Sequence, residues 1–239
     1  MRVLICADAH ANLPAVEALL DRADDVDRRV FLGDAISYGP HPRECLNLIV
    51  DRFDLVLAGN HDLDALTHRD PPPPGAFRDG YEWDQWTKEQ LTDRDLDVIR
   101  GLPTAADEIW DGIHAHIEHR LPGPYITPET PDREIADRIR GMPGDVICVG
   151  HNHRPADRSV GHVRVIDPGS LGQQRDGDPR ISYAIFDGGR IDFFRADYDI
   201  ARTQGDIRAL PLRRAFVDCW CRFLDEGVVD IGLVPRGEV

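Results

Sequence analysis

Lysine is nearly absent from this sequence of 239 residues, since Lys88 is the only one among 28 basic residues. Against 43 acidic residues this leaves a net charge of −15. Such a charge repels phosphate backbones, so we expect no general nucleic-acid binding, and the lack of a basic patch interleaved with aromatic residues disfavours a nuclease. A lysine-poor acidic composition fits either a salt-rich cytoplasm or a GC-rich genome.

Long apolar runs are also missing. No stretch approaches the ~20 apolar residues that a membrane-spanning helix needs. The first ten residues, MRVLICADAH, lead directly into a strand-like segment without the charged and apolar parts of a secretory leader. We therefore expect a cytoplasmic protein without a membrane partner.

The five cysteines have no disulfide-framework spacing, and their number is odd. Cys6 and Cys148 lie in apolar strand-like runs, where cysteine usually acts as a small hydrophobic residue. Cys219 and Cys221 are two positions apart in a helical pattern and so point to different sides of the helix. We expect all five to be free thiols.

The N-terminal part of the chain alternates between strand and helix patterns. Short apolar runs at residues 2–6, 29–32 and 54–58 predict strands buried on both faces. Helical spacing begins after Asn12 and again at residues 42–50. This order is typical of a parallel α/β layer.

The rest of the chain is richer in strands. One helix is predicted at residues 82–100, after a proline run at residues 71–74, and another amphipathic helix at residues 212–227. The sequence DGG predicts a tight hairpin between the last two strands. The strand patterns of this part cover residues 108–110, 113–118, 145–149, 162–166, 181–186 and 190–196.

These patterns predict two packed sheets with helices outside them. A hydrophobic content of 41% in 239 residues suffices for a sizeable core. We find no internal repeat or long linker, and we expect a single domain over residues 1–239 with a helical tail from about residue 204.

Polar motifs follow several of the predicted strands. Ligands of open α/β sheets bind outside the carboxyl ends of the strands, so these motifs are expected to converge in space. Residues two apart on extended backbone point the same way, which allows each outer motif to offer two ligands to one site. The motifs are Asp8-Ala9-His10, Gly33-Asp34, Gly59-Asn60-His61-Asp62 and Gly150-His151-Asn152-His153.

Carboxylates and imidazoles together suit Mn, Fe, Ni or Zn better than Ca or Mg. Each motif alone has an ordinary interpretation as a turn, a helix cap or a solvated polar loop. Their joint occurrence, in order and each after an apolar run, favours a metal site over coincidence.

With these motifs the sequence resembles the calcineurin-like metallophosphoesterase family, and within it the small prokaryotic branch of the YfcE-type phosphodiesterases. Further support comes from SYGP at residues 37–40, DPGS at residues 167–170 and QRDGDPR at residues 174–180. The resemblance extends over most of the chain, to about Tyr198. It implies an α/β fold, a four-layer α-β-β-α sandwich of two packed mixed sheets, with two divalent metal ions at the strand ends.

The resemblance also implies roles for single residues. His61 matches the catalytic imidazole of the family, and Asp62 matches the residue that orients it. Asp8, His10 and His153 match the ligands of the first metal. Asn60 and His151 match ligands of the second metal, and Asp34 matches the ligand that bridges the two.

One further histidine of the family binds the second metal and is normally followed by glycine. We expect His119 in this role, although Arg120 replaces the glycine. His114 and His116 are the alternatives, and for both a polar face of a half-exposed strand is the more ordinary interpretation. Asp167 stands where the family commonly has asparagine, and we expect it to play a supporting part.

The implied function is hydrolysis of a small phosphate ester, with diesters favoured, by attack of a hydroxide held between two metal ions. His61 would bond a phosphate oxygen or protonate the departing alkoxide. Alternatives within the family are a phosphomonoesterase and a protein or nucleotide phosphatase. A non-catalytic regulatory protein with one metal is the alternative from another class; Arg120 favours it, because its cation can replace the second metal, and the retained His61-Asp62 pair argues against it.

The aromatic and proline-rich residues 71–86 predict a surface for which we consider two functions. They can contact a second subunit, in which case the protein is a homo-oligomer, or they can cover the substrate.

Overall fold

The computed structural model describes residues 1–73 and 76–228. Its strands form two five-stranded sheets. In chain order the strands are β1 (Arg2–Cys6), β2 (Arg28–Phe31), β3 (Leu55–Val56), β4 (Ala105–Trp110), β5 (Ile113–Glu118), β6 (Val146–Cys148), β7 (Pro155–Val160), β8 (Val163–Pro168), β9 (Ile181–Asp187) and β10 (Arg190–Ala196).

Helices connect the strands and cover the sheets. The order of elements in the first part of the chain is the predicted strand, helix, strand, helix, strand. The helices are α1 (Leu13–Arg22), α2 (Pro42–Arg52), α3 (Asn60–Asp64), α4 (Ala76–Gln90), α5 (Asp93–Gly101), α6 (Asp132–Arg138), α7 (Ile200–Arg208) and α8 (Arg214–Glu226).

The first sheet has the strand order β10-β9-β1-β2-β3, in which β1, β2 and β3 are parallel neighbours. The strands β9 and β10 complete this sheet as an antiparallel hairpin beside β1. The second sheet has the order β4-β5-β6-β8-β7, with a parallel centre of β5, β6 and β8 and antiparallel edges. Both sheets are therefore mixed.

The core has two faces because side chains alternate along each strand. In β1, Val3 and Ile5 pack in a cluster that contains residues of both sheets, whereas Leu4 and Cys6 pack among residues of α1 and α2. On the outer face of the second sheet, α6 contributes Ile135 to a separate apolar cluster. Helix, sheet, sheet and helix follow one another, so the predicted four-layer sandwich is confirmed.

Other expectations about elements need correction. Residues 82–100 form two helices, because Thr92 begins a new one: its Oγ1 accepts the N–H of Asp95, whose carboxylate accepts the N–H of Thr92. The strand β7 and the helix α6 were not predicted, and the hairpin of β9 and β10 joins the first sheet although it belongs to the strand-rich part of the sequence.

The C-terminal region is helical, with α7 and α8 before Gly227, which ends α8 in the left-handed conformation. The part of the predicted domain and tail at residues 229–239 lies outside the described residues. All five cysteines are buried thiols, and no disulfide joins them, as expected. Within residues 1–73 and 76–228, no helix combines the length and the apolar character that crossing a membrane requires.

Candidate metal centre

The loops after β1, β2 and β6 have an unusual backbone. Positive φ angles in residues other than glycine cost of order 1–3 kcal/mol each and persist only where the surrounding structure holds them. Such strain clusters at functional sites. Five of the predicted metal ligands adopt it: Asp8 (57°), His10 (47°), Asp34 (60°), His151 (70°) and His153 (59°).

Close packing of the loops brings these side chains together. The N–H groups of Asp8 and His10 bond the carbonyl groups of Gly33 and Asp34, both at 3.0 Å, which ties the first loop to the second. A Cβ atom at Gly59 would lie 2.2 Å from Asp34 Oδ1. Only glycine therefore allows the third loop to approach so closely.

One group of buried side chains consists of Asp8, His10 and His153, whose candidate ligand atoms lie within 4.8 Å of one another. His153 Nε2 is 3.2 Å from His10 Nε2 and 3.3 Å from Asp8 Oδ1. Its Nδ1 lies 2.6 Å from the carbonyl oxygen of Gln173. Donation from Nδ1 to that oxygen selects the tautomer in which Nε2 keeps a lone pair directed at the centre of the group.

The second group consists of Asp34, His119 and His151, again within 4.8 Å. His119 Nε2 lies 3.2 Å from Asp34 Oδ2 and 3.2 Å from Asn60 Oδ1, which adds Asn60 to this group. Asp34 Oδ2 is also 3.8 Å from His10 Nε2 of the first group. Asp34 thus lies between the two groups, where a bridging ligand would have to be.

Two buried carboxylate oxygens in the centre test whether metal ions fit. Asp8 Oδ2 accepts the N–H of His151 at 3.0 Å and Asp34 Oδ1 accepts the N–H of His61 at 2.8 Å. Of the other two oxygens, Asp8 Oδ1 has no hydrogen-bond partner, and Asp34 Oδ2 lies against imidazole nitrogens, His119 Nε2 at 3.2 Å and His10 Nε2 at 3.8 Å. A buried, unpaired carboxylate oxygen is costly, and a cation supplies what is missing. Mixed oxygen and nitrogen ligands around these two atoms fit divalent metal ions in both groups.

Electrostatics divide the histidines of the centre into two kinds. Burial lowers the pKa of His10 and His153 well below the ordinary value and lowers the pKa of His151 to about 4. These rings are therefore neutral at neutral pH, as metal ligands must be. Burial also acts to lower the pKa of His119, but the carboxylates of Asp34 and Asp8 and the carbonyl oxygen of Leu32 together outweigh it and raise that pKa to about 10. A proton on His119 thus takes the place of a cation in the metal-free protein.

Asp62 has other partners than the predicted one. Its two carboxylate oxygens accept the backbone N–H groups of Asp34, Ala35, Ile36 and Gly59 at 2.8–3.2 Å. The expected bond to the His61 ring is not formed. Burial raises the pKa of Asp62 to about 6. Asp62 joins the second and third loops and supports the centre through the backbone.

His61 is held by aromatic rings instead. Its ring lies edge-on to Tyr38, with centroids 5.1 Å apart, and to His10, at 5.2 Å. Its Nδ1 is buried without a hydrogen-bond partner. The ring is thus positioned by packing, and it lies against a ligand of the first group.

The alternative histidines and Arg120 lie outside both groups. His114 and His116 lie on β5, and both contact the same carboxylate oxygen of Asp107 on β4, at 2.9 and 3.0 Å. They form the polar strand face that was the more ordinary interpretation. Arg120 is exposed, so the replacement of glycine at this position leaves His119 inside the second group.

Asp167 supports the fourth loop. Its Oδ1 accepts the N–H of Gly169 and its Oδ2 accepts the side-chain amide of Asn152, both at 2.8 Å. Asn152 lies between His151 and His153, so Asp167 helps to fix the residue that separates the two histidines. This agrees with the expected supporting part.

Two residues near the centre were not predicted from the sequence. The ring of Tyr125 stacks on His151 with centroids 4.7 Å apart, and the Arg175 guanidinium lies 5.4 Å from the Tyr125 ring centre. Arg175 stands in the QRDGDPR motif, which offered a signal, whereas Tyr125 lies in a loop without a recognisable pattern.

A four-layer α/β sandwich with carboxylate and imidazole groups at its strand ends is the architecture of a metal-dependent phosphoesterase. The comparison with known families agrees, because the calcineurin-like phosphoesterase superfamily domain matches residues 1–189. The chain belongs to this superfamily, and its family membership indicates a hydrolase.

Known proteins of similar sequence and structure give the same result. A metallophosphoesterase from Sphaerobacter thermophilus is 31% identical, with a TM-score of 0.79 over 95% of this chain and 100% of that one. The uncharacterized protein MJ0912 of Methanocaldococcus jannaschii is 31% identical over 86% of this chain and 91% of its own. The hypothetical protein PH1004 of Pyrococcus horikoshii OT3 shares the fold, with 18% identity and a TM-score of 0.78 over 92% of this chain and 97% of that one.

Proposed function

We propose that the protein is a cytoplasmic enzyme that hydrolyses small phosphate esters, diesters in preference to monoesters, with two divalent ions chosen from Mn, Fe, Ni and Zn. The observation that carries the proposal is the pair of buried carboxylate oxygens, Asp8 Oδ1 and Asp34 Oδ2, each directed at the nitrogens of a separate group of potential ligands. One cation would satisfy only one group.

The residues assigned to the ions follow from these groups. Asp8, His10 and His153 would hold the first ion, and Asn60, His119 and His151 the second, with Asp34 shared. Two ions in such a site neutralise phosphate charge and lower the pKa of bound water toward ~7, which makes a nucleophile available without a protein base.

His61 would assist the departure of the leaving group. It is less buried than Asp8, His10 and Asp34, and its ring packs against His10. An imidazole in this position can hydrogen-bond a phosphate oxygen or donate its proton to the departing alkoxide. The edge-on contact with Tyr38 keeps the ring directed toward the reacting groups.

The charge of the whole protein supports a small substrate. Two dications would make the centre locally positive within a chain of net charge −15. A small phosphate ester is attracted at short range, whereas a polyanion is repelled by the surrounding surface.

The preference for diesters rests on the family branch that the sequence resembles. A monoesterase or a phosphatase acting on proteins or nucleotides is the alternative within the same chemistry. An archaeal phosphodiesterase of known structure is 18% identical with a TM-score of 0.51, and this likeness concerns the fold alone.

The test is an activity screen over a panel of phosphate esters. Chelated protein is reloaded separately with Mn, Ni, Fe, Zn or Mg, and hydrolysis of bis(4-nitrophenyl) phosphate is compared with that of 4-nitrophenyl phosphate. Two equivalents of bound metal and faster diester hydrolysis are expected. One equivalent without hydrolysis of any ester would favour the non-catalytic regulatory protein, and faster monoester hydrolysis would favour a phosphatase.

A further inference from the structure

A cavity of about 360 Å³ lies on the side of the centre where His61 stands. Tyr38 forms one wall of this cavity and also makes the edge-on contact with His61, with ring centroids 5.1 Å apart. One aromatic ring therefore separates the cavity from the imidazole. The cavity is lined by Tyr38, Arg69, Asp70, Pro72, Phe77, Tyr81 and Asp84.

Three of the lining side chains are aromatic. Phe77 is 76% exposed, so that its ring is accessible to a molecule bound in the cavity. Tyr81 carries the guanidinium of Arg78 5.7 Å from its ring centre. Tyr38 is fixed from behind by Trp220 of α8, on which it stacks at 5.3 Å. The cavity thus has a rigid aromatic wall and an exposed aromatic rim.

The cavity also contains a polar anchor. Asp84 is only 4% exposed, and its Oδ2 accepts a hydrogen bond from Arg69 at 2.7 Å. A carboxylate has more acceptor positions than this single bond uses, so that Asp84 can also accept from a ligand N–H or O–H. Flat aromatic surfaces beside one buried acceptor are suited to an aromatic ring with a donor group.

We propose that this aromatic pocket binds the leaving group of the ester and that the leaving group is nucleoside-like, a flat aromatic ring with an N–H or O–H donor. The aromatic pocket lies beside His61, and a leaving group that takes a proton from this imidazole would depart on that side. The part played by the ring as a leaving group rests on the proposed function. Its binding does not, because stacking and the contact with Asp84 need no hydrolysis.

The expected occupant also gives a use to the described part of residues 71–86, a segment for which the sequence left two possibilities open. Phe77 at the rim and Tyr81 inside it belong to this segment. The cavity therefore favours substrate covering over contact with a second subunit.

The experiment measures binding of adenosine and of ribose to the metal-loaded protein by isothermal titration calorimetry. Adenosine carries the ring without a phosphate, and ribose lacks the ring. Phe77→Ala is the test variant, because an exposed side chain can be removed without loss of folding. Phe194→Ala is the matched control, since this phenylalanine is also partly exposed, at 39%, but lines another cavity.

We expect adenosine, but not ribose, to bind the unchanged protein and the Phe194→Ala variant equally well. Stacking of a base on an aromatic side chain is large enough that Phe77→Ala should weaken adenosine binding about fivefold or more. Equal affinity in the Phe77→Ala variant, binding of ribose as tight as that of adenosine, or no adenosine binding at all would overturn the pocket. If adenosine binds as expected but no ester is hydrolysed, the pocket stands and the proposed function falls.

Discussion

At the scale of single residues, the centre concentrates buried carboxylates and imidazoles whose polar atoms face one another. Asp8 Oδ1 accepts no hydrogen bond, Asp34 Oδ2 faces His119 Nε2 at 3.2 Å, and the Nε2 atoms of His10 and His153 are 3.2 Å apart. Such an arrangement is unfavourable by itself, and divalent ions would relieve it.

Loss of one ligand should therefore remove both metal and activity. We expect Asp34→Asn or His153→Ala to lower metal affinity and kcat by about 100-fold or more, because changes to residues that merely orient ligands already cost 10–100-fold. Metal content by plasma mass spectrometry and steady-state kinetics measure both effects. His116→Ala is the control, since this histidine bonds Asp107 outside both groups; a similar loss in that variant would contradict the assignment.

His61 should affect turnover without affecting metal content. Removal of a general acid typically slows the chemical step by about 10²–10⁴-fold. We expect His61→Ala to retain two equivalents of metal and to lose most of kcat on an ester with a poor alkoxide leaving group. The loss should be smaller with 4-nitrophenolate, which needs no proton to depart. An unchanged rate on the alkoxide ester would refute this role.

Metal uptake should release one proton from His119. The pKa of this ring is raised to about 10, whereas His10, His151 and His153 have lowered pKa values and are already neutral at pH 7. Affinity for the second metal should thus rise about tenfold per pH unit as pH increases toward 10, since the proton competes with the ion. Calorimetry in buffers of different ionisation enthalpy counts the protons, and a count of zero would contradict the charge state of His119.

At the scale of elements, Asp62 connects the loop after β2 to the start of α3 through four backbone hydrogen bonds. Both loops carry ligands, Asp34 in one and Asn60 in the other. The carboxylate thus holds these two ligand loops together even though it makes no hydrogen bond to the His61 ring.

Asp62→Asn should destabilise the fold. The amide nitrogen can no longer accept from two of the four N–H groups, and each buried, unsatisfied donor costs ~1–3 kcal/mol, so that we expect a loss of about 2 kcal/mol or more in the free energy of unfolding. Urea denaturation measures the change. Asp51→Asn, at an exposed position of α2, should stay within ~0.5 kcal/mol. Equal stability of the two variants would show that the hydrogen bonds are not important.

The elements differ in how far the sequence predicts them. The strands β1 and β2 were predictable because they are buried on both faces, and the apolar run therefore coincides with the strand. The edge strand β7 (PADRSV) has no such run, because only part of it is buried. The break between α4 and α5 had a local signal in the capping sequence TDRD, which the continuous helical spacing outweighed.

The candidate site was predictable as a set of residues but less so as a set of contacts. Asp8, Asp34 and His151 were predictable as ligands because each follows directly or closely after an apolar run that predicts a strand. The partners of Asp62 depend on loop conformations with positive φ, and the stacking of Tyr125 on His151 joins segments without a common pattern. Such contacts arise only from the tertiary fold.

At the scale of the whole molecule, the net charge of −15 should select substrates by size. We expect kcat/KM for a small diester to exceed that for a long single-stranded oligonucleotide, and the ratio to shrink as salt screens the repulsion. Hydrolysis of both substrates over a series of salt concentrations measures this. An oligonucleotide cleaved as well as the small diester at low salt would contradict the expected repulsion.

The position of β1 in its sheet has a consequence for biosynthesis. The strand β1 precedes the other described strands along the chain and is central in its sheet, and its partner β9 ends at Asp187. His10 likewise meets His153 across 143 positions of sequence. A nascent chain can therefore complete neither group of ligands before synthesis has passed His153. A fragment that stops before β9 contains all the candidate ligands but exposes the edge of β1 that pairs with β9. We therefore expect metal to bind late in synthesis, after both groups of ligands are complete.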